Sequence, residues 1–248
     1  MEQKRIFSLN KSSNDIIDKS DTLMHMPVDG IEVSGDFFES ENFHSFFLKC
    51  FEHNKTVTSV YGVLPSNLTR NWSSADRAIR EAVVDMLRNK IRRAAPYGIR
   101  YFIVDPGLDK ISNGHEFAEL QKRLELFKPV LEDAAAAGLT FCIPIRFPKP
   151  FPHSSEWQMA NLLKQMMMHP KLALVMNTFP GELPLKSYNG LLKKCFYAVK
   201  LIRFCYDNEL EHSFDDGHHD SLMSLLEEQG YDGDFIYVPA INSRETLE

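Results

Sequence analysis

No glycine-rich phosphate loop, no cysteine pair, no excess of positive charge and no long apolar run occurs in this sequence. Each absence excludes something. Without Gly-x-Gly-x-x-Gly after an early strand, or Gly-x-x-x-x-Gly-Lys-Ser/Thr anywhere, dinucleotide and P-loop nucleotide binding have no support, because both need glycine to bring backbone N–H groups against phosphate. Cys50, Cys142, Cys195 and Cys205 include no Cys-x-x-Cys, which speaks against a zinc ribbon or a dithiol redox site. Scattered cysteines of this kind are expected to be small buried hydrophobes. The 28 basic residues are outnumbered by 34 acidic ones, for a net charge of −6. Nucleic acid and anionic membranes, which demand basic patches, are therefore not the expected partners. No apolar run approaches the roughly 18 residues of a membrane helix. Nor does Met1–Phe7 lead into the apolar stretch of a secretory signal. The expectation is a reduced, cytoplasmic protein, with oligomerisation left open. A Gly-x-Ser-x-Gly elbow is missing too, so a hydrolase triad is unsupported.

What is present is a globular balance. Of 248 residues, 44% are hydrophobic and 25% charged, enough for a core that needs no disulfide or metal staple. No Pro/Gly/Ser-rich linker divides the chain, so residues 1–248 are expected to form a single domain. Eight short runs rich in Ile, Val, Phe or Tyr read as buried strands: Arg5–Leu9, Gly30–Ser34, Val57–Gly62, Arg100–Asp105, Leu139–Ile145, Leu172–Asn177, Val199–Cys205 and Asp234–Val238. Helical patterns lie between them. Ser73-Ser-Ala-Asp76 opens one, with Ile79, Val83, Met86, Leu87 and Ile91 on one face. A second carries Phe117, Leu120, Leu124, Phe127, Leu131 and Ala135, stops at Gly138 and is kinked or broken at Pro129. Glu156–Met168, Leu191–Tyr197 and Ser221–Gln229 are further helices, and Asn14–Met26 is a weaker first one. Strands alternating with helices imply parallel pairing through right-handed crossovers. At this length the pattern predicts an α/β protein of the (β/α)8 TIM-barrel class, with a short or missing last helix.

In such a barrel chemistry sits at the C-terminal ends of the strands. That rule selects Asn10, Glu32, Asp36, Tyr61, Asp105, Arg146, Lys149, Asn177, Arg203, Asp207 and the string Asp215-Asp-Gly-His-His-Asp220. Asp105 is either a catalytic carboxylate or part of an Asp-Pro-Gly turn. Arg146 and Lys149 either clamp an anion or lie exposed in a proline-rich loop. Arg203 pairs with a carboxylate such as Asp207, faces outward under a helix, or reaches the pocket; pairing ranks first. Asn177 orients a substrate hydroxyl or caps the next turn. Asp216-Gly-His-His219 is a metal-ligand set or, by preference, a solvated loop before the last helix, with Asp220 near its N-cap. His25, His44, His53, His115 and His153 read as isolated.

The order Tyr61-Gly-Val, Asn67-Leu68, Ser73-Ser-Ala-Asp76, Asp105-Pro-Gly107, then Leu126–Thr140 and Leu225–Gly233 resembles that of the xylose isomerase-like TIM barrels. These include sugar phosphate isomerases, ketose epimerases and apurinic-site endonucleases. The resemblance runs from about Gly30 to Val238 and implies a sugar or sugar-phosphate substrate. Metal-using members carry Glu on strand five, Asp on strand six, His on strand seven and Glu on strand eight. The matching positions here are Pro144, Asn177, Phe204 and Val238 or Pro239. Proline, phenylalanine and valine cannot ligate a divalent cation, and an amide is a much weaker ligand than carboxylate. The resemblance therefore implies the barrel without the usual metal site, and no cofactor is expected.

Three readings follow. In the first, a metal-independent sugar or sugar-phosphate isomerase or epimerase uses Asp105 or Asp207 as base, with Asn177 beside it. Arg146, Lys149 and Arg203 then bind substrate and stabilise the enediolate, and Tyr61 and Glu32 bind substrate. In the second, a non-catalytic barrel binds a sugar-like ligand or a protein partner, its pocket closed by Phe204, Pro144 and Phe179. In the third, a metal enzyme has relocated its ligands to Asp105 with Asp216, His218 or His219. DNA cleavage fits worst, since the basic stretch Arg77–Arg93 is expected on the outer helical ring.

Overall fold

The structure is a computed structural model. It describes residues 4–9, 20–64, 77–104, 125, 128–146, 169–178, 196–205 and 217–238. Strand β7, Val199–Cys205, shows why these runs build the fold they do. Its sequence Val-Lys-Leu-Ile-Arg-Phe-Cys sends Leu201 to one apolar cluster, and Ile202 and Phe204 to another. A strand apolar on both faces must be covered on both. The other strands are β1 (Arg5–Ser8), β2 (Gly30–Ser34), β3 (Thr56–Tyr61), β4 (Tyr101–Ile103), β5 (Thr140–Arg146), β6 (Leu172–Thr178) and β8 (Asp234–Val238). Each lies within two residues of its expected bounds. Neighbours pair in sequence order, all parallel, and β1 pairs with β8, so the sheet is a closed barrel.

Closure divides the apolar residues in two. Ile6, Tyr101, Ile103, Cys142, Ala173, Val175, Leu201, Ile236 and Val238 fill the interior. A larger cluster lies between strands and helices. Space inside is tight: Gly30 is the register partner of Ile6, and a Cβ on it would overlap Thr58 Oγ1. The N-terminal floor is polar. Asp234, 3% exposed, accepts from the Lys4 backbone N–H and the Tyr101 hydroxyl, each at 3.0 Å, and pairs with Arg100 at 3.0 Å. Segments on β1, β4 and β8 are thereby fastened together.

The helices differ more from expectation. Arg77–Ala94 is the described part of the helix expected to open at Ser73–Asp76, which lies outside the described residues, and it ends in the 3-10 turn Ala95–Tyr97, after which Gly98 takes a left-handed φ of 64°. Its cations are engaged: Arg77 with Glu81, Arg88 with Asp85 and Asp133, Lys90 with Glu39, and Arg93 with the Phe38 carbonyl. Two helices not singled out in the sequence, Gly35–Glu39 and Phe43–Glu52, link β2 to β3. The first is capped by Ser34, whose hydroxyl accepts from the Phe37 N–H at 3.2 Å. Their Phe37, Phe38, Phe43 and Phe46 pack edge to face. The last helix, Gly217–Glu228, starts four residues before its expected position. Gly217 through Asp220 thus form its first turn and not a loop. Ser20–His25 is the described part of the expected first helix. The described end of the Leu191–Tyr197 prediction is a 3-10 turn, Phe196–Ala198. Residues 128–136 are helical and include Pro129, while Glu156–Met168 lies outside the described residues. Three of the isolated histidines make contacts without forming a ligand cluster among the described residues. His25 and His53 meet edge-on at 6.1 Å between centroids, and His44 Nδ1 lies 3.3 Å from the Tyr97 hydroxyl. Among the described residues no helix is long and apolar enough to cross a membrane.

Candidate functional site

Strand register decides which side chains enter the barrel. Ile6 on β1 pairs with Ile236 on β8, which pairs with Arg203 on β7, which pairs with Asn177 on β6. Ile6 and Ile236 belong to the interior cluster, so the same row carries Arg203 and Asn177 inward. On the opposite wall Ser8, Glu32 and Ser59 form a second row over β1, β2 and β3. The two rows meet across the interior. Arg203 Nη2 donates to Glu32 Oε1 at 2.7 Å.

Glu32 is fully buried, and the Arg203 side chain is 12% exposed. Burying a carboxylate costs several kcal/mol unless it is paired and hydrogen-bonded. Glu32 satisfies that condition. Besides the guanidinium, Ser8 Oγ donates to Oε1 at 2.6 Å and Ser59 Oγ to Oε2 at 3.3 Å. The result is a guanidinium braced from behind by a sealed counter-ion. Tyr61 borders it, with the Arg203 Cζ 5.6 Å from its ring centroid. The Tyr61 hydroxyl donates to the Leu9 carbonyl at 3.3 Å. Its pKa is pushed up to about 12, first by burial and then by the nearby Glu32 charge, with Arg203 opposing. Tyr61 is therefore a neutral phenol at ordinary pH.

Among the described residues, two buried polar atoms here have no hydrogen-bond partner: Arg203 Nε and Asn177 Oδ1. They sit on register neighbours. Unpaired buried groups are uncommon and costly. A donor and an acceptor left open on neighbouring strands are the chemistry of a ligand contact.

Of the residues selected from sequence, Glu32, Tyr61, Arg203 and Asn177 come together. The backbone of Arg146 is the register neighbour of Asn177. Asp105, Lys149 and Asp207 lie outside the described residues, as do Asp216 and Phe179. Arg203 is paired, as ranked first, but with Glu32 across the barrel, and it also reaches the interior. Phe204 does not close the pocket. It joins the outer cluster, stacked on Tyr237 with centroids 5.4 Å apart. The inward residues near the C-terminal ends of β5 to β8 include Pro144, Asn177, Arg203 and Val238. Among the described residues no group of three His, Cys, Asp or Glu is placed to hold a metal. Ser8 and Ser59 were missed. The available signal was alternation, which puts a small polar residue on the inner face of an otherwise apolar strand.

The same barrel recurs in solved structures. D-psicose 3-epimerase from Clostridium cellulolyticum H10, solved with D-tagatose, superposes with a TM-score of 0.71 at 14% identity, covering 99% of this chain and 88% of that one. The 3-keto-D-glucoside 4-epimerase from E. coli gives 0.68 at 12%, over 98% and 94%. A family 2 AP endonuclease from Brucella melitensis gives 0.69 at 16%, again over 98% and 94%. The chain has the fold of the xylose isomerase-like TIM barrels. At these identities the likeness establishes the fold alone. No family profile and no curated protein matches the sequence.

Proposed function

We propose that this xylose isomerase-like barrel handles a sugar or sugar phosphate at its C-terminal mouth and runs isomerase or epimerase chemistry without a divalent metal. The observation that carries this is the Arg203 guanidinium, fixed in the barrel by buried Glu32 and flanked by Asn177 and Tyr61. Isomerisation beside a carbonyl removes a carbon-bound proton and leaves negative charge on oxygen. Something preorganised must stabilise that charge. A divalent cation fits poorly among the side chains of β5 to β8 named above. Only the Asn177 amide there offers an oxygen, and the adjacent guanidinium presents N–H donors and no lone pair. Arg203, aimed by its pairing with Glu32, supplies a fixed hydrogen-bond donor to that oxygen instead. Glu32 is a positioning residue and not the base, because it is sealed from the mouth and committed to three donors. The base in this reading is Asp105 or Asp207, which follow β4 and β7. Solved barrels of this fold include epimerases crystallised with D-tagatose and with D-fructose, which makes free ketohexoses the first substrates to try.

The test uses untagged protein and NMR detection of carbon-bound proton exchange in D2O with ketohexoses and their phosphates. Exchange is expected to survive EDTA and to fall at least about a hundredfold in Arg203→Lys, the loss of one well-placed charge-stabilising donor. Exchange abolished by EDTA and restored by a divalent ion would overturn it. A second reading, a non-catalytic sugar-binding barrel, is favoured by the sealing of Glu32, which is committed to three donors and is not free to carry a proton. It predicts ligand binding with no exchange.

A further inference from the structure

We infer that Arg203 and Asn177 together read one uncharged hydroxyl, so that the part of the ligand lying deepest in the barrel is a neutral carbinol and not a phosphate or carboxylate. The inference rests on the sugar-handling reading and names the chemistry of its innermost contact. Arg203 Nε is a donor and Asn177 Oδ1 an acceptor, both buried and both without a partner among the described residues, on adjacent strands in register. The complement of such a pair must accept from one and donate to the other. A hydroxyl does both. A phosphate dianion or carboxylate offers acceptors only. It would satisfy Nε but set its oxygens against the Asn177 carbonyl oxygen.

Charge points the same way. The guanidinium is already neutralised by Glu32 at 2.7 Å, and the pair carries no net charge into the site. An anion approaching Arg203 would have the buried carboxylate directly behind its binding partner, with no other described cation hydrogen-bonded there. Glu32 thus fixes the orientation of Arg203 and also cancels its general attraction for anions. Tyr61, held neutral, lines the same wall without adding charge.

Isothermal calorimetry on the full chain tests this with D-tagatose, D-fructose and inorganic phosphate. The wild type is expected to bind a ketohexose and give no heat with phosphate. Asn177→Leu keeps the ion pair intact and removes the acceptor, and should weaken ketohexose binding about tenfold or more. Glu32→Gln leaves the guanidinium uncompensated. Where that variant folds, it should gain phosphate affinity about tenfold while losing ketohexose affinity, a change that a purely structural role would not produce. Phosphate binding by the wild type that disappears in Arg203→Lys overturns the inference, as does Asn177→Leu binding ketohexose like wild type. Both results leave the sugar-handling reading standing. A wild type that binds none of the three probes removes the two together.

Discussion

Replacing Arg203 by Met tests the electrostatic design of the barrel interior. The substitution keeps much of the side-chain volume but strands the Glu32 carboxylate, which is fully buried, with only Ser8 and Ser59 as donors. Removing one partner of a buried ion pair costs about 3–5 kcal/mol, because the survivor keeps its desolvation penalty. The guanidinium is 12% exposed, so the lower half of that range applies. Unfolding entropy near 2.1 cal/mol/K per residue over 248 residues makes each kcal/mol worth about 2 °C, giving an expected drop of ~6–8 °C. Removing both charges should behave differently. The double variant Glu32→Leu with Arg203→Met has no stranded carboxylate. It should recover most of the loss, short of about 1 kcal/mol for each serine hydroxyl left without its acceptor. Thermal unfolding of the four proteins at pH 7, followed by circular dichroism, closes the cycle. Arg203→Met melting within 1 °C of wild type would refute the reasoning. So would a double variant as unstable as the sum of the singles.

The Tyr61 pKa, raised from 10.0 to about 12, gives a pH signature. Between those values the unfolded tyrosine ionises while the folded one stays neutral, so this contribution to stability is complete below pH 10 and lost as pH rises toward 12. Urea midpoints at pH 9 and pH 11 should show Tyr61→Phe losing about 1 kcal/mol less than wild type over that step; equal losses would put the phenol in solvent. Burial pushes the Cys50 thiol up to about 12, and burial followed by the Glu32 charge raises Cys142 as well. Thiolates are the reactive form, so at pH 8 neither should label with a disulfide reagent until the protein unfolds, as mapped by mass spectrometry. At the opposite end of the barrel, Asp234→Ala removes the acceptor shared by Lys4, Tyr101 and Arg100. It should lower the melting temperature by about 6 °C, on the scale of ~3 kcal/mol for a broken buried network, while ketohexose affinity stays within about twofold.

The barrel was legible because each strand announces itself locally. Runs such as Leu172–Met176 are short, apolar on both faces and rich in hydrophobic residues, and eight such runs, some carrying an inward polar residue such as Glu32, alternating with helical patterns leave few topologies. Helices Gly35–Glu39 and Phe43–Glu52 escaped because they are short, and in the second the stripe Phe43, Phe46, Phe47, Cys50 is blurred by exposed Leu48 and Phe51. Tertiary packing of Phe37, Phe38 and Phe43, all fully buried, holds them where local propensity is weak. The site was half legible. Strand-end position picked out Glu32, Tyr61, Asn177 and Arg203 one by one, but not their pairing. Glu32 and Arg203 are 171 residues apart and meet only because the sheet closes. The carboxylate visible from sequence was Asp207, four residues from Arg203. Phe204 was misplaced for a related reason: a one-residue shift along a strand moves a side chain to the other face.

The same geometry explains why the cation on β7 is arginine. A lysine ammonium is a point charge on a flexible stem; it could reach Glu32 or a ligand, but it could not hold one while presenting a second N–H at a fixed angle to the other. The planar guanidinium does both at once. Nη2 is spent on Glu32, and the rigid plane then fixes the open Nε relative to it, on the strand next to the one carrying the open oxygen of Asn177. The carboxylate that neutralises the charge is therefore also the group that aims it. Neither half works alone: without Glu32 the guanidinium would be an unaimed buried cation, and without the guanidinium Glu32 would be an uncompensated one of opposite sign. Two charges that would each destabilise an apolar interior instead produce a neutral, oriented donor at the mouth of the barrel, where strands of this fold carry their chemistry.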